Sequence, residues 1–261
     1  QGGLRRPRRP VSDTLTRFVF EDAAVRGALV NLDETVRAVL GCHTYPPPLQ
    51  RVLAELCAAA ALLASTLKFN GSLVVQLQGD GPVRLLVVEC TDALDLRATA
   101  QWDAVRTEAL GADASLADLA GGPAHGRLVM TLDPKGAGQI YQGIVTLESG
   151  SVAGLIEHYL ATSEQLASRM VLAVRGTAAA GLIVQRLPGA HDEDAFTWSR
   201  VRSRLDAVAP EALLAGGVEE RLRTLDRGVA AAETLLARQA DHEGAQALRA
   251  RIGTLRDKLF G

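Results

Sequence analysis

The side chains that could do chemistry are few and far apart in this sequence. Five histidines stand at positions 43, 125, 158, 191 and 242, and no pair has the spacing of metal ligands on one helix. Cys42 and His43 are adjacent, so a thiol beside an imidazole is the strongest catalytic candidate. Adjacent residues at a helix end point apart, however, and no third group can be named to orient the base. The sequence therefore predicts no catalytic residue and no metal ligand, and we do not expect an enzyme.

Two glycine-containing loops have the composition of a phosphate site. They read "QLQGDGP" at residues 76–82 and "DPKGAG" at residues 133–138. A phosphate loop leads from a strand into a helix, so that backbone N–H groups at the helix start face the anion. Strand-like residues follow both loops instead. We therefore interpret both as hairpin turns, and expect Asp80 and Gly81 to supply the positive φ values of the first.

Composition limits the classes of partner. The chain has 261 residues, 48% of them hydrophobic, which predicts a soluble globular protein with a sizeable core. Its net charge of −2 gives no positive field for nucleic acid or an anionic membrane. The longest charge-free apolar run, Leu56 to Leu67, is much shorter than the roughly 20 residues of a membrane span. Three widely spaced cysteines, Cys42, Cys57 and Cys90, fit a reducing environment. We expect a cytoplasmic protein without nucleic-acid or membrane partners.

The hydrophobic pattern predicts strand hairpins joined by single helices. Strands are predicted at 15–20, 73–78, 83–88, 95–102, 170–175 and 181–187, and in a second hairpin over 127–148. Helices are predicted at 32–40, 49–67, 116–119 and 152–160. The helix at 49–67 follows three prolines and repeats apolar residues every three or four positions, so we expect it to be central and buried. Because the elements do not alternate regularly, the sequence favours an α+β fold with mainly antiparallel sheets.

Both ends of the chain differ from its middle. Residues 1–12 contain four arginines among glycine and proline, and are predicted to form a disordered basic tail. The α+β domain is assigned to residues 13–188. After it the chain becomes helical and charged, which predicts a helical linker at 189–217 and a helical hairpin at 218–261. Successive apolar residues in this hairpin are four and three positions apart in turn, which is the spacing of a coiled-coil heptad seam.

Six segments of the chain read, in order, "RFVFEDAAVRG", "YPPPLQRVLAEL", "LLASTLKFNGSLVVQLQGDGPV", "IYQGIVTLES", "YLATSEQLASR" and "AAGLIVQRLPG". Together they resemble the main domain of the heat shock protein 33 family, the bacterial redox-regulated holdase chaperones. The resemblance runs from about Leu15 to about Leu214. It implies an α+β main domain followed by a helical linker, and an ATP-independent chaperone of the stress response that holds unfolding proteins against aggregation.

In that family a small C-terminal module holds one zinc ion through four cysteines, in C-x-C and C-x-x-C motifs, and releases it on oxidation. None of the three cysteines here lies within two residues of another, so no zinc ligand is assigned and no cofactor is expected in this chain. Two explanations stay open. Either the lineage lost the switch, or the sequence is not the intact natural chain at its C-terminal end.

The resemblance places client binding on apolar surface of the main domain and linker. Within the linker we assign it to Val201, Leu205, Val208, Leu213 and Leu214. Charged residues are interspersed among these five and would keep such a surface in solution. The alternative interpretation is that the same residues pack on the main domain in every state.

Unfolded client proteins are the expected partners, and a homodimer is a further option. Two other functions stay open. One is a non-catalytic scaffold that recruits a partner through the C-terminal heptad helices. The other is a thiol enzyme that uses Cys42 or Cys57.

Overall fold

The computed structural model describes residues 13–20, 24–67, 70–136, 138–148, 150–187 and 192–215. The basic tail predicted at 1–12 and the helical hairpin predicted at 218–261 lie outside these residues. Both therefore stay predictions.

The described elements alternate between short groups of strands and helices. The strands are β1 (Thr14–Val19), β2 (Val25–Leu32), β3 (Gly71–Gln78), β4 (Val83–Thr91), β5 (Leu96–Trp102), β6 (Arg127–Pro134), β7 (Tyr141–Thr146), β8 (Ser168–Arg175) and β9 (Ala178–Arg186). The helices are α1 (Glu34–Gly41), α2 (Pro47–Thr66), α3 (Ala104–Ala109), α4 (Leu116–Ala120), α5 (Val152–Thr162), α6 (Asp192–Asp206) and a final 3₁₀ helix (Pro210–Leu214).

The strands form two sheets in which every neighbouring pair is antiparallel. The small sheet has the order β1-β2-β9-β8, and the large sheet has the order β5-β4-β3-β6-β7. The predicted α+β class with mainly antiparallel sheets is therefore confirmed. The described part of the predicted linker contains helix α6 and the 3₁₀ helix, and the assignment of 189–217 as a linker stays a prediction.

Helix α2 is the centre of the core and contacts both sheets. It begins after Pro46, with proline in its first turn, where a missing N–H costs nothing. Alanine fills positions 58–61, and these side chains are buried, which allows both sheets to lie close to the helix. By length and hydropathy α2 could cross a membrane, but most of its surface is buried inside the domain. The prediction of a buried central helix is confirmed.

The hairpin at 76–82 forms as predicted, but for a different reason. Neither Asp80 nor Gly81 has a positive φ, so that prediction was wrong. The loop instead packs against the end of α4, where the N–H groups of Asp80 and Gly81 both donate to the carbonyl of Ala120 at 3.0 Å. A Cβ on Gly81 would lie 2.2 Å from the backbone nitrogen of Gly121. Glycine is needed here because two backbone segments touch.

Strand β2 and helix α3 were not predicted from the sequence. Strand β2 reads VRGALVNL, and most of its residues are buried. It occupies the interior of the small sheet between β1 and β9. Without β2 the strands at 15–20, 170–175 and 181–187 could not be assembled into a sheet.

Candidate functional site

The small sheet buries both of its faces, against different elements. One face packs on helix α2. The other packs under the linker, and we call it the linker-covered face. Its side chains alternate along all of the strands: Phe18, Val25, Leu29, Val171, Ala173, Ala180, Leu182 and Val184.

All five residues assigned to client binding lie on the underside of the linker. Val201 and Leu205 of α6 are 4% and 5% exposed, and Leu213 of the 3₁₀ helix is 2% exposed. Val208 and Leu214 are partly buried against the same cluster. The structure therefore brings the five together, in contact with the main domain. Client binding by these residues would require the linker to move away from the sheet.

The outer side of the linker is charged. Arg202, Asp206 and Glu211 are exposed, and Arg200 and Arg204 are partly exposed. Spacing along α6 thus separates the buried Val201 and Leu205 from an exposed charged surface. The linker covers apolar surface with one side and faces water with the other.

Two arginines of strand β8 join the linker to the sheet. Arg169 donates from Nε to Oδ1 of Asp206 at 2.6 Å, and from a terminal nitrogen to Oε1 of Glu157 in α5 at 2.5 Å. Arg175 donates to the carbonyl of Leu214 at 3.3 Å. Burial lowers the pKa of Arg169, but the hydrogen bonds and charges of Glu157 and Asp206 outweigh burial and raise it. Arg169 therefore stays charged between the two carboxylates.

Sequence reasoning missed the residues on the sheet side of this interface. It also missed Trp198, which packs partly buried against the same cluster. One signal was present: β9 reads AAAGLIVQR, and β2 contains a similar apolar run. Unbroken apolar runs of this length are typical of strands buried on both faces. They indicated that a second layer must cover the small sheet.

Two of the three cysteines, Cys57 and Cys90, are poorly placed to act as nucleophiles or metal ligands. Cys57 in α2 and Cys90 in β4 are fully buried. Burial, together with the neighbouring Cys90, raises the pKa of Cys57 from 9.0 to about 12. Burial, together with the charge of Asp95, raises the pKa of Cys90 from 9.0 to about 12. Both stay protonated at neutral pH, whereas a nucleophile or a zinc ligand must be a thiolate.

Cys42 is exposed, and its thiol lies 3.3 Å from the carbonyl oxygen of Ala38. The ring of His43 contacts Tyr45 and Trp102, at centroid distances of 5.5 and 6.2 Å. Within the described ranges, no group of three or more His, Cys, Asp and Glu side chains could hold a metal ion. These residues therefore do not fit the four-cysteine zinc site that the resemblance implies.

Comparison with protein families finds a match over most of the chain. The family model described as "Hsp33 protein" matches residues 13–251. The chain is 46% identical over 206 residues to the 33 kDa chaperonin of Methylobacillus flagellatus, covering 78% of this chain and 68% of that protein. It is 43% identical over 220 residues to the 33 kDa chaperonin of Chromobacterium violaceum, covering 82% and 70%.

A solved structure has the same fold. The crystal structure of the 33 kDa chaperonin from Thermotoga maritima superposes with a TM-score of 0.66, covering 90% of this chain and 83% of that one. Sequence identity over the superposed residues is 18%, so this likeness concerns the fold alone.

Proposed function

The chain belongs to the Hsp33 family and is a chaperone, and from that premise we propose that it is an ATP-independent holdase of the cytoplasm. It binds unfolding proteins and keeps them from aggregating. Its client surface, in this proposal, is formed by the linker-covered face of the small sheet together with the underside of the linker.

One observation is the main support for this proposal. A contiguous apolar face of the domain is covered only by the linker among the described elements, and the linker there consists of helix α6 and one 3₁₀ turn. Three of the five assigned linker residues are fully buried against this face, namely Val201, Leu205 and Leu213. The other face of the same sheet is bound to α2 in the centre of the core. Release of the linker would expose apolar surface while α2 still holds the two sheets together.

The exposed surface would suit an unfolding protein. Burial of apolar area is favourable and non-directional, so one face can accept many client sequences. Arg169 and Arg175 lie at its rim, and the linker carries further arginines. A charged rim keeps an apolar surface in solution and limits association with like surfaces.

Two features support a mechanism without nucleotide. The loop at 76–82 leads into strand β4, and the loop after β6 leads into strand β7. Neither opens a helix, which is the geometry that places N–H groups against a phosphate. Client binding is therefore proposed to draw only on the exposure and burial of apolar surface.

We propose no zinc-dependent step for the described residues. Cys42, Cys57 and Cys90 lie on a surface turn, on α2 and on β4, and two of them are buried in the core. They do not provide the four compactly spaced ligands of a structural zinc site. Elemental analysis of the purified chain should find less than stoichiometric zinc, and stoichiometric zinc lost on peroxide treatment would contradict this part of the proposal.

Light scattering tests the holdase function. Two unrelated client proteins are diluted from denaturant, without nucleotide, into buffer with or without a near-stoichiometric amount of the chain. We expect scattering to fall for both clients, and an inert protein at equal mass to have no effect. Unchanged scattering at excess chain would overturn the holdase proposal. Unchanged scattering is also the result expected if the chain is a scaffold that acts through the C-terminal heptad helices.

A further inference from the structure

The side chain of Asn31 is polar and buried on the linker-covered face. In the register of the small sheet, Asn31 of β2 lies between Thr14 of β1 and Ala180 of β9. Ala180 belongs to the apolar cluster under the linker, and so does Leu29, which is two positions before Asn31 on the same side of β2. Asn31 is 5% exposed. An amide therefore lies at the end of an apolar face.

Four residues of polar type are buried in the described part of the chain, and Asn31 is the exception among them. The other three are Ser65, Thr107 and Gln185. Ser65 and Thr107 each donate to a carbonyl three or four positions earlier, and Gln185 is bonded to side chains on both neighbouring strands. No described residue is hydrogen-bonded to the side-chain amide of Asn31. Buried polar groups of native proteins are nearly always bonded, so this amide needs an explanation.

Two threonines of the edge strand β1 lie beside this amide. Thr14 pairs with Asn31 and Thr16 pairs with Leu29, so both threonines are on the linker-covered side of the sheet. Both are partly buried, and neither hydroxyl has a hydrogen-bond partner among the residues that the structure describes. We call Thr14, Thr16 and Asn31 the polar corner. The described part of the domain does not use its hydrogen-bonding groups, and it borders the surface proposed for clients.

We infer that the polar corner, through the amide of Asn31, binds the main chain of an unfolding protein once the linker has left the small sheet. This inference rests on the proposed holdase function and deepens it. The apolar face would hold client side chains, while Asn31 would bond to a client peptide group at the end of that face. Asn31 is thereby assigned as a client-binding residue.

The chemistry of an amide favours the main chain of a client over its side chains. The Asn31 side chain offers two N–H donors and a carbonyl acceptor, which match the C=O and N–H groups of a peptide. Main-chain groups are present in every client, so bonding to them adds affinity without requiring a particular sequence. In an unfolding protein many of these groups have lost their partners in helices and sheets.

The linker limits access to this amide. Leu213, which is 2% exposed in the 3₁₀ helix, packs in the same apolar cluster as Ala173 and Ala180, and these two alanines share a row of the sheet with Asn31. Bonding of a client to Asn31 therefore needs the same linker movement as binding to the apolar face. The buried amide lowers stability while the linker is in place and adds client affinity once it has left. Loss of the amide should change stability and client binding in opposite directions.

A matched pair of variants tests the effect on stability. Valine and threonine have nearly the same shape and differ by a methyl group in place of a hydroxyl. In urea, Asn31→Val should have a higher unfolding midpoint than wild type, because apolar surface replaces an amide without a partner. The midpoint of Asn31→Thr should lie below that of Asn31→Val. A midpoint for Asn31→Val no higher than that of wild type would show that the amide is bonded within the folded chain, and would overturn the inference.

Two peptides test the effect on binding. Each has eight alternating leucine and serine residues, blocked ends and a fluorescent label, and one of them is methylated on every backbone nitrogen. Anisotropy titrations with the intact chain give the ratio of the two dissociation constants for each protein. Tighter packing of the linker would weaken both peptides equally, so it cancels in this ratio. We expect methylation to weaken binding to wild type roughly fivefold more than binding to Asn31→Val, and Asn31→Thr to keep most of the difference.

The outcomes separate this inference from the proposed function. If wild type suppresses client scattering but has the same ratio as Asn31→Val, the polar corner does not bind the main chain, and the holdase proposal stands. The same conclusion follows if wild type suppresses scattering and binds neither peptide. If wild type neither suppresses scattering nor distinguishes the peptides more strongly than Asn31→Val, both proposals are wrong.

Discussion

Arg169 at the start of β8 and Asp206 at the end of α6 are joined by an ion pair with an Nε–Oδ1 distance of 2.6 Å. The same guanidinium binds Glu157, so one side chain connects the small sheet, helix α5 and the linker. The Arg169 side chain is 26% exposed and that of Asp206 is 51% exposed. Ion pairs with this much exposure typically contribute about 0–1 kcal/mol. Burial of apolar side chains therefore holds the linker more firmly than this pair does.

Replacing Leu205 by aspartate should release the linker. A charge at this buried position costs several kcal/mol if the linker stays in place, and much less once α6 has left the sheet. We expect stronger binding of an apolar fluorescent dye and suppression of client aggregation at lower chain concentration.

Ser203→Asp is the matched control for that change. Ser203 lies on the exposed side of the same helix, so the added charge remains in water. Equal dye binding and equal activity for Leu205→Asp and Ser203→Asp, with both variants folded, would show that the underside of the linker does not cover a client surface.

Replacing Asp206 and replacing Arg169 should lower the stability of the protein by different amounts. Asp206→Ala removes one exposed carboxylate and should lower the free energy of unfolding by less than about 1 kcal/mol. Arg169→Met also leaves Glu157 without its cation, although Glu157 still accepts the N–H of Met170 at 2.7 Å. A loss of about 2 kcal/mol is expected for this variant. Urea unfolding of both variants measures the difference, and equal losses would contradict it.

Alanine at Gly81 should destabilise the domain although its φ is ordinary. A Cβ there would lie 2.2 Å from the nitrogen of Gly121 and 2.5 Å from the carbonyl oxygen of Leu119, and these backbone atoms can move only with α4. We expect a loss of about 1–3 kcal/mol. Gly41→Ala is the control, since nothing lies within 4 Å of the added atom, and alanine at the end of α1 should be neutral or slightly stabilising. A loss for Gly41→Ala as large as that for Gly81→Ala would refute the contact as the cause.

Stability should fall in alkali because of the two buried thiols. The folded state holds the protons of Cys57 and Cys90 up to a pKa of about 12, whereas an unfolded thiol releases its proton near 9.0. Above pH 9 the unfolded chain therefore binds fewer protons, and unfolding becomes easier as pH rises toward 12. Each thiol should remove roughly 1 kcal/mol of stability between pH 8 and pH 10.

Denaturant unfolding under reducing conditions at pH 8 and pH 10 measures this effect. The Cys57→Ala variant should lose about 1 kcal/mol less than wild type between the two pH values, whatever its stability at pH 8. The exposed Cys42→Ala variant is the control and should lose as much as wild type. If the three proteins lose the same stability, buried thiols do not cause the alkaline transition.

Elements of the fold could be predicted from the sequence where the signals were local. Three prolines and a three-and-four spacing located helix α2, and the loop at 76–82 located the β3–β4 hairpin. Strand β2 was not predicted because both of its faces are buried. Burial on both faces removes the alternation of apolar and polar residues that identifies a strand. The need for Gly81 was also misjudged, since the contact with Gly121 comes from a segment distant in the chain.

The candidate site was predictable only in part. Charged and apolar residues alternate in the linker, so Val201 and Leu205 could be recognised as one apolar set. Which surface they meet depends on the pairing of β2 with β9, and no local pattern specifies that pairing.

The small sheet joins the beginning of the domain to its end. Strand β2 pairs with β9 along its whole length, and the hydrogen-bonded side chains of Arg26 and Gln185 are 159 positions apart in the chain. A ribosome adding about 5–20 residues per second needs roughly 10–30 s to make the intervening segment. Throughout that time the apolar strand β2 has emerged without its partner. While it is being made, this chaperone is itself an unfolded protein that needs protection from aggregation.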